Sequence, residues 1–225
     1  MAGRVQRWAM AAAVLAPMGW ALPAHALTLG MADTFQSGVD GGWSIGAASA
    51  LPPIVVNSGG PAGAGDGYLS LVAIGGATAN SRLTVIAGPQ WAGSYSASGV
   101  DGITMDVRNS GSTDLDLRLR LESPAGAIAL STSAVHVPAG SGWVAVSFSL
   151  APSALTGQAD AALANTLQLR LFHSSTAAFP GAPIVASLGV DNVTAVPEPA
   201  AAWLLLAGLA TLAARRTSPR QPCAV

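Results

Sequence analysis

Between Asp114 and Glu122 the chain reads Asp-Leu-Asp-Leu-Arg-Leu-Arg-Leu-Glu, a strict two-residue alternation. Successive side chains of an extended strand leave opposite faces. Leu115, Leu117, Leu119 and Leu121 therefore make a core face. Asp114, Asp116, Arg118, Arg120 and Glu122 make a face expected to be wet. One apolar and one polar face is the pattern of an antiparallel sheet whose second side meets water. Acid and base side chains on such a face can pair across strands, for roughly 0.2–1 kcal/mol each.

The rest of the middle region supports the same architecture. Tyr68 to Val72, Ser81 to Ala87, Ile103 to Arg108, Ala127 to Leu130, Val135 to Val137, Gly142 to Leu150, Thr166 to His173 and Ile184 to Thr194 are short β-like runs between Gly, Pro, Ser, Asn and Asp clusters. Val144, Val146, Phe148 and Leu150 share one face of their run, as do Leu167, Leu169 and Leu171 of theirs. Pro152 to Ala164 is the one stretch that could form a helix, and a short one. The Ala/Pro/Gly-rich stretch 48–65 reads as an extended loop. Eight to ten short strands without alternating helices predict an all-β fold, an antiparallel β-sandwich, with a jelly roll preferred.

The two ends are of another kind. Residues 1–26 read as a secretory signal peptide, with Arg4 and Arg7 before the apolar run Ala9 to Trp20 and a cleavage site at Ala24-His25-Ala26. The Sec translocon and signal peptidase are the partners this implies. The domain is then 27–195 and the terminal segment 196–225. That segment opens with Val196-Pro197-Glu198-Pro199, continues in an apolar run over 200–214, and stops at Arg215-Arg216 before a tail, 217–225. Pro199 suits a first helical turn. Fifteen helical residues would span about 22 Å against about 30 Å of hydrocarbon, short for a permanent anchor but fair for a transient single transmembrane helix. Arginines on one side predict that this side stays cytoplasmic. Val193 to Pro199 would be the linker from the last strand.

The ordered set Val196-Pro197-Glu198-Pro199, apolar helix and Arg215-Arg216 resembles the PEP-CTERM sorting signal of Gram-negative bacteria. The resemblance covers about 30 residues. It implies a substrate of an exosortase, held in the inner membrane as a precursor, then cut near the motif and passed to the cell surface or extracellular matrix. The tail after Arg216 is longer than is usual in that family.

Composition decides what the domain is not. All ten basic residues are arginine. Between Leu27 and Ala195, five arginines (Arg82, Arg108, Arg118, Arg120, Arg170) face ten carboxylates, a balance of about −5. An acidic domain without a basic stripe argues against nucleic acid as a partner. The single cysteine, Cys223, lies beyond the terminal arginines, so the domain has no disulfide framework and about 170 residues must hold it by their own core. His136 and His173 have no spaced partners that would make a metal cluster, and no Gly-x-Ser-x-Gly elbow or P-loop lysine is present. Asp114 and Asp116 read as members of a solvated strand face rather than a glycosidase pair. No enzyme is expected.

Phe35-Gln36-Ser37-Gly38 with Gly42-Trp43 near the start, and Asp191-Asn192-Val193 near the end, resemble the galactose-binding-like jelly roll used by many carbohydrate-binding modules. The resemblance implies that first and last strands pair and that a structural calcium ion can staple them. Asp191 would supply a carboxylate, and Gln36 stands where a Glu is more usual. Otherwise Asp191 and Asn192 bond turn backbone. No other cofactor is expected. A sugar site would use an exposed aromatic platform with a few polar groups. The candidates are Trp91 and Tyr95 in the loop-like 88–98 segment, with Arg108, Arg118 and Arg120 on wet strand faces, and Phe172 out of phase with its leucines. Trp43 and Trp143 read as core. The expected protein is an exported, non-enzymatic surface or matrix protein associated with exopolysaccharide or biofilm. The alternatives are a carbohydrate-binding module or a self-associating adhesive protein.

Overall fold

A computed structural model describes residues 27–46, 49, 51–78 and 81–197. The signal-peptide expectation for 1–26 and the sorting elements from Glu198 onward lie outside the described residues. Twelve strands among those described form two antiparallel sheets. The first runs β2 (Ile54–Val56), β3 (Tyr68–Ile74), β12 (Val185–Val196), β5 (Gly102–Asn109), β9 (Val144–Ser149), and β1 (Ala32–Asp33) pairs with the far half of β12. The second runs β10 (Leu155–Gly157), β7 (Ile128–Ser131), β6 (Leu115–Glu122), β11 (Gln168–His173), β4 (Thr84–Ile86), with β8 (Val135–Val137) on the start of β6. The expected jelly-roll sandwich is the observed one, and its first and last strands pair.

Leu115, Leu117, Leu119 and Leu121 are at most 1% exposed. They meet Leu69, Leu71, Ile103, Val107, Leu188 and Val190 of the first sheet in one core. Removing each leucine from water stabilises the fold by roughly 1.5–3 kcal/mol.

Several local expectations change. Ile54–Val56 is a strand inside the stretch expected to be loop. Val193 to Val196 is strand rather than linker, because β12 stays paired with β5 as far as Val196↔Gly102. Pro152 to Ala164 divides into a single 3-10 turn, strand β10 and a short helix, α2 (Ala159–Ala164). Leu167, just before β11, is 52% exposed, and Val144, on edge strand β9, is 41% exposed. The largest change concerns the face of β6 expected to be wet. Arg118 and Arg120 are buried, as is Phe172 on β11. The chain leaving β11 folds back across this face: Arg118 Nε and Nη1 donate to the carbonyls of Ser174 (2.9 Å) and Ser131 (2.9 Å), and the Phe179 ring lies 5.3 Å from that of Phe172.

Candidate functional site

The aromatic residues singled out in 88–98 are not a platform. Pro89–Trp91 makes one 3-10 turn and Tyr95–Ser98 a short helix, α1, capped by Ser94 Oγ and ended by Gly99 in the left-handed region (φ 67°). This compact turn places Trp91 and Tyr95 inside the core, both fully buried. Tyr95 Oη donates to the Trp91 carbonyl at 3.0 Å, and burial pushes its hydroxyl pKa far up. Trp91 is tied down by Asp33 on β1. Asp33 Oδ2 accepts from Trp43 Nε1 (2.6 Å), Trp91 Nε1 (2.8 Å) and Gln90 Nε2 (2.8 Å). Gly88 is required here, since a Cβ would stand 1.9 Å from the Gly41 carbonyl oxygen. Trp43 is core, as expected.

Trp143 is not core. It lies half-buried on the outer face of the first sheet with Tyr68 and Arg108. The Arg108 guanidinium is 4.9 Å from the Tyr68 ring centre and 5.1 Å from that of Trp143. Arg108 Nη2 donates to Tyr68 Oη (2.8 Å), and Trp143 Nε1 to the Gly59 carbonyl (2.9 Å). The indole rests on Gly189, where a Cβ would stand 2.9 Å from Trp143 Cη2. The cluster braces the 57–67 loop across the sheet through the Gly59 carbonyl, and Arg108 Nε is buried without a partner.

The outer face of the second sheet is different. Register places Leu130, Arg120, Arg170 and Ile86 side by side on β7, β6, β11 and β4. Ile128, Glu122 and Gln168 form the next row. Four strands at about 4.8 Å spacing make this row roughly 14 Å wide. Phe179 stands over it, its ring centre 4.8 Å from the Arg120 guanidinium and 5.1 Å from that of Arg170. Leu130, Ile86, Gln168, Arg170, Glu122 and Phe179 are all half-buried, so the surface is open to contact. Arg120 Nη1 is paired with Glu122 Oε2 at 2.5 Å. Arg118, at the covered end, is enclosed by carbonyls, including Thr132 O at 2.8 Å. Burial lowers its pKa, partly offset by Asp116. Of the three arginines proposed from sequence, then, Arg118 is structural, Arg108 belongs to the other face, and Arg120 is on this face but buried beneath Phe179. Arg170 and Phe179 were missed. Arg170 does share the polar phase of its strand with Gln168, but Phe179 lies in an irregular segment without periodicity.

Asp191 and Gln36 engage different hydrogen-bond partners, and both have Asp66 nearby. Asp191 is fully buried where β12 bulges between Asp191 and Thr194. Its Oδ1 accepts from the Asn192 N–H (2.7 Å), and its Oδ2 is buried without a partner. Burial pushes its pKa up to about 6, a rise the Asn192 bond opposes and the Asp66 and Asp106 charges reinforce. A buried carboxylate oxygen without a donor calls for a proton or a cation. Gln36 is exposed, with Oε1 accepting from Gly67 N (3.3 Å) and Nε2 donating to Asp66 Oδ1. Among the described residues, no three His, Cys, Asp or Glu side chains converge as a metal set.

The histidines sit at the other end of β6. His136 Nδ1 lies 3.0 Å from Asp116 Oδ1, and its Nε2 lies 4.0 Å from Asp114 Oδ2, all on exposed or half-buried surface. His173 Nδ1 accepts from the Asp116 backbone N–H (3.0 Å), and burial lowers its pKa. These contacts place Asp114 and Asp116 on a strand face shared with His136.

No protein-family model matches the sequence, and no curated protein matches it. Among solved structures the chain is similar to an exo-β-agarase (12% identity, TM-score 0.53, 76% of this chain and 26% of that one). It is also similar to the PfGH50B structure (13% identity, TM-score 0.50, 76% and 24%). The chain spans about a quarter of the length of both. A family 11 carbohydrate-binding module from Clostridium thermocellum, in complex with a β-1,3-1,4-mixed-linked tetrasaccharide, also matches. There the identity is 13%, the TM-score 0.47 and the coverage 76% and 96%.

Proposed function

We propose that the chain is an exported, non-enzymatic module that binds a glycan across the outer face of its second sheet. The observation that supports this is the half-buried Phe179 ring standing over Arg120 and Arg170, in a row flanked by Leu130 and Ile86 and next to Glu122 and Gln168. The C–H faces of sugar rings pack on aromatic and aliphatic surface. Their hydroxyls need both donors and acceptors, which guanidinium, amide and carboxylate supply together. The sheet holds these groups on rigid strands, which limits the ordering cost of binding. Electrophoresis through gels containing dispersed polysaccharide tests the reading. Mixed-linked β-glucan, agarose and polygalacturonate are suitable probes. At least one should retard the protein, Phe179→Ala should abolish that retardation, and Trp143→Ala on the opposite sheet should leave it intact. Failure of every probe, or an unchanged Phe179→Ala, overturns it.

Export and sorting are proposed on the sequence of the two ends. The Val196-Pro197-Glu198-Pro199 motif begins at the last residue of β12. The mature mass tests this. It should correspond to a chain starting at Leu27 and ending near the motif when exosortase is present, and to one ending at Val225 when it is absent. The same product in both hosts refutes sorting.

A divalent cation is a second proposal, resting on the orphaned Asp191 Oδ2. Calcium accepts carboxylate and carbonyl oxygens in flexible arrangements. Asp191 would hold it, with Asp66 and Asp106 supplying nearby negative charge. Bound there, the ion would neutralise a buried carboxylate and tie β12 to the loop that carries Asp66.

A further inference from the structure

We propose that the glycan held by the second sheet's outer face is anionic, carrying carboxylates or sulfates that bind the Arg170 guanidinium beside Arg120. This rests on the glycan-binding reading above and narrows it to a chemical class. Arg120 and Arg170 are directly opposite each other across the β6–β11 pair. Like charges in that relation destabilise a sheet unless something offsets them. Glu122 offsets one, and it is engaged by Arg120.

Arg170 is left with weak partners. Its Nη1 reaches Thr84 Oγ1 and its Nη2 reaches Gln168 Oε1, both at 3.4 Å, near the limit of a hydrogen bond. Its Nε is buried with no acceptor. Arg118, one position along the same face, shows how this fold treats a structural arginine. Three of its bonds to carbonyl oxygens measure 2.8–2.9 Å. Phe179 supports both Arg120 and Arg170 through its ring face, which consumes none of their N–H donors. Burial and the Arg120 charge both lower the Arg170 pKa, and Glu122 partly restores it. The arrangement is therefore a cation pair in which Arg170, the half-buried member, is held only by long hydrogen bonds that an oxyanion can replace. A planar or tetrahedral oxyanion matches a guanidinium fork and would relieve the repulsion between the pair. It would do so on a domain whose overall charge is about −5.

Calorimetric titration of the full chain in mild non-ionic detergent tests the proposal. The probes are galacturonate oligosaccharides, sulfated galactan oligosaccharides and neutral mixed-linked glucan oligosaccharides. At least one acidic probe should bind, should weaken as salt rises, and should lose tenfold or more on Arg170→Gln. Arg170→Lys, which keeps charge but loses the fork, should recover only part of that loss. Ile86→Lys, at the half-buried neighbour of Arg170 on β4, should tighten the acidic probe and steepen its salt dependence, a gain that a destabilised fold would not produce. Neutral glucan binding that exceeds acidic binding and ignores all three substitutions overturns the anionic inference and leaves the glycan reading standing. No binding of any probe overturns both.

Discussion

The carboxylate of Asp33 carries more of the fold than its place on a two-residue strand suggests. Its Oδ2 alone accepts from two indole N–H groups and one amide, at 2.6–2.8 Å. Trp43 and Trp91 are at most 3% exposed, and their rings pack edge to face with centres 6.5 Å apart. Asp33→Ala removes the acceptor and leaves two buried indole donors unpaired. Each unsatisfied buried donor costs about 1–3 kcal/mol, so the substitution should destabilise the domain by roughly 2–6 kcal/mol. Gln90 is half-buried and can turn to water, so it adds little. Asp33→Asn keeps one acceptor oxygen but loses the charge and exchanges the other oxygen for an NH2 donor, and should cost about half as much or less. Urea unfolding followed by tryptophan emission reads both values, because two of the reporters are the tryptophans concerned. A double-mutant cycle with Trp43→Phe isolates the shared bond, and its coupling should exceed about 0.5 kcal/mol. An Asp33→Ala cost below about 1 kcal/mol, or equal costs for Ala and Asn, would refute the clamp.

His173 is held neutral by burial, and its Nδ1 must stay unprotonated to accept the Asp116 N–H. Its folded pKa lies below the ordinary 6.5, so the folded state binds fewer protons and stability falls as pH drops below about 6.5. Comparing wild type with His173→Asn, which keeps an acceptor, between pH 8 and 5 should show a smaller loss for the variant; parallel curves would rule the effect out. If Asp191 holds calcium, saturating the ion at about a hundred times its dissociation constant should add about 2.7 kcal/mol, or roughly 5–10 °C in Tm. Asp191→Asn should abolish that rise, and an equal rise in both proteins would place the ion elsewhere. Gly189→Ala puts a Cβ 2.9 Å from Trp143 Cη2, so it should cost about 1–3 kcal/mol and shift the tryptophan emission. An unchanged spectrum and Tm would show that the indole does not rest on that glycine.

Strand identity was legible because it is written in local periodicity. The leucines of β6 declare their face within eight residues, and the same logic identifies the cores of β5 and β11 and the sandwich they build. The proposals for the two ends of the chain, a signal peptide and a sorting motif, rest on local sequence alone.

What tertiary structure decided is which polar faces stay open. Alternation says that Arg118 and Arg120 leave the core, but not that residues 174–183 return to cover them, because that contact joins positions more than fifty residues apart. The same holds for Trp91, whose Gly-Pro surroundings look like an exposed loop. Asp33, 58 residues earlier, draws its indole inward. Arg170 and Phe179 meet only because β11 pairs with β6 and the following segment turns back over the pair. Residue type and phase determine which way a side chain points. Long-range packing determines whether water, protein or a ligand is there to meet it.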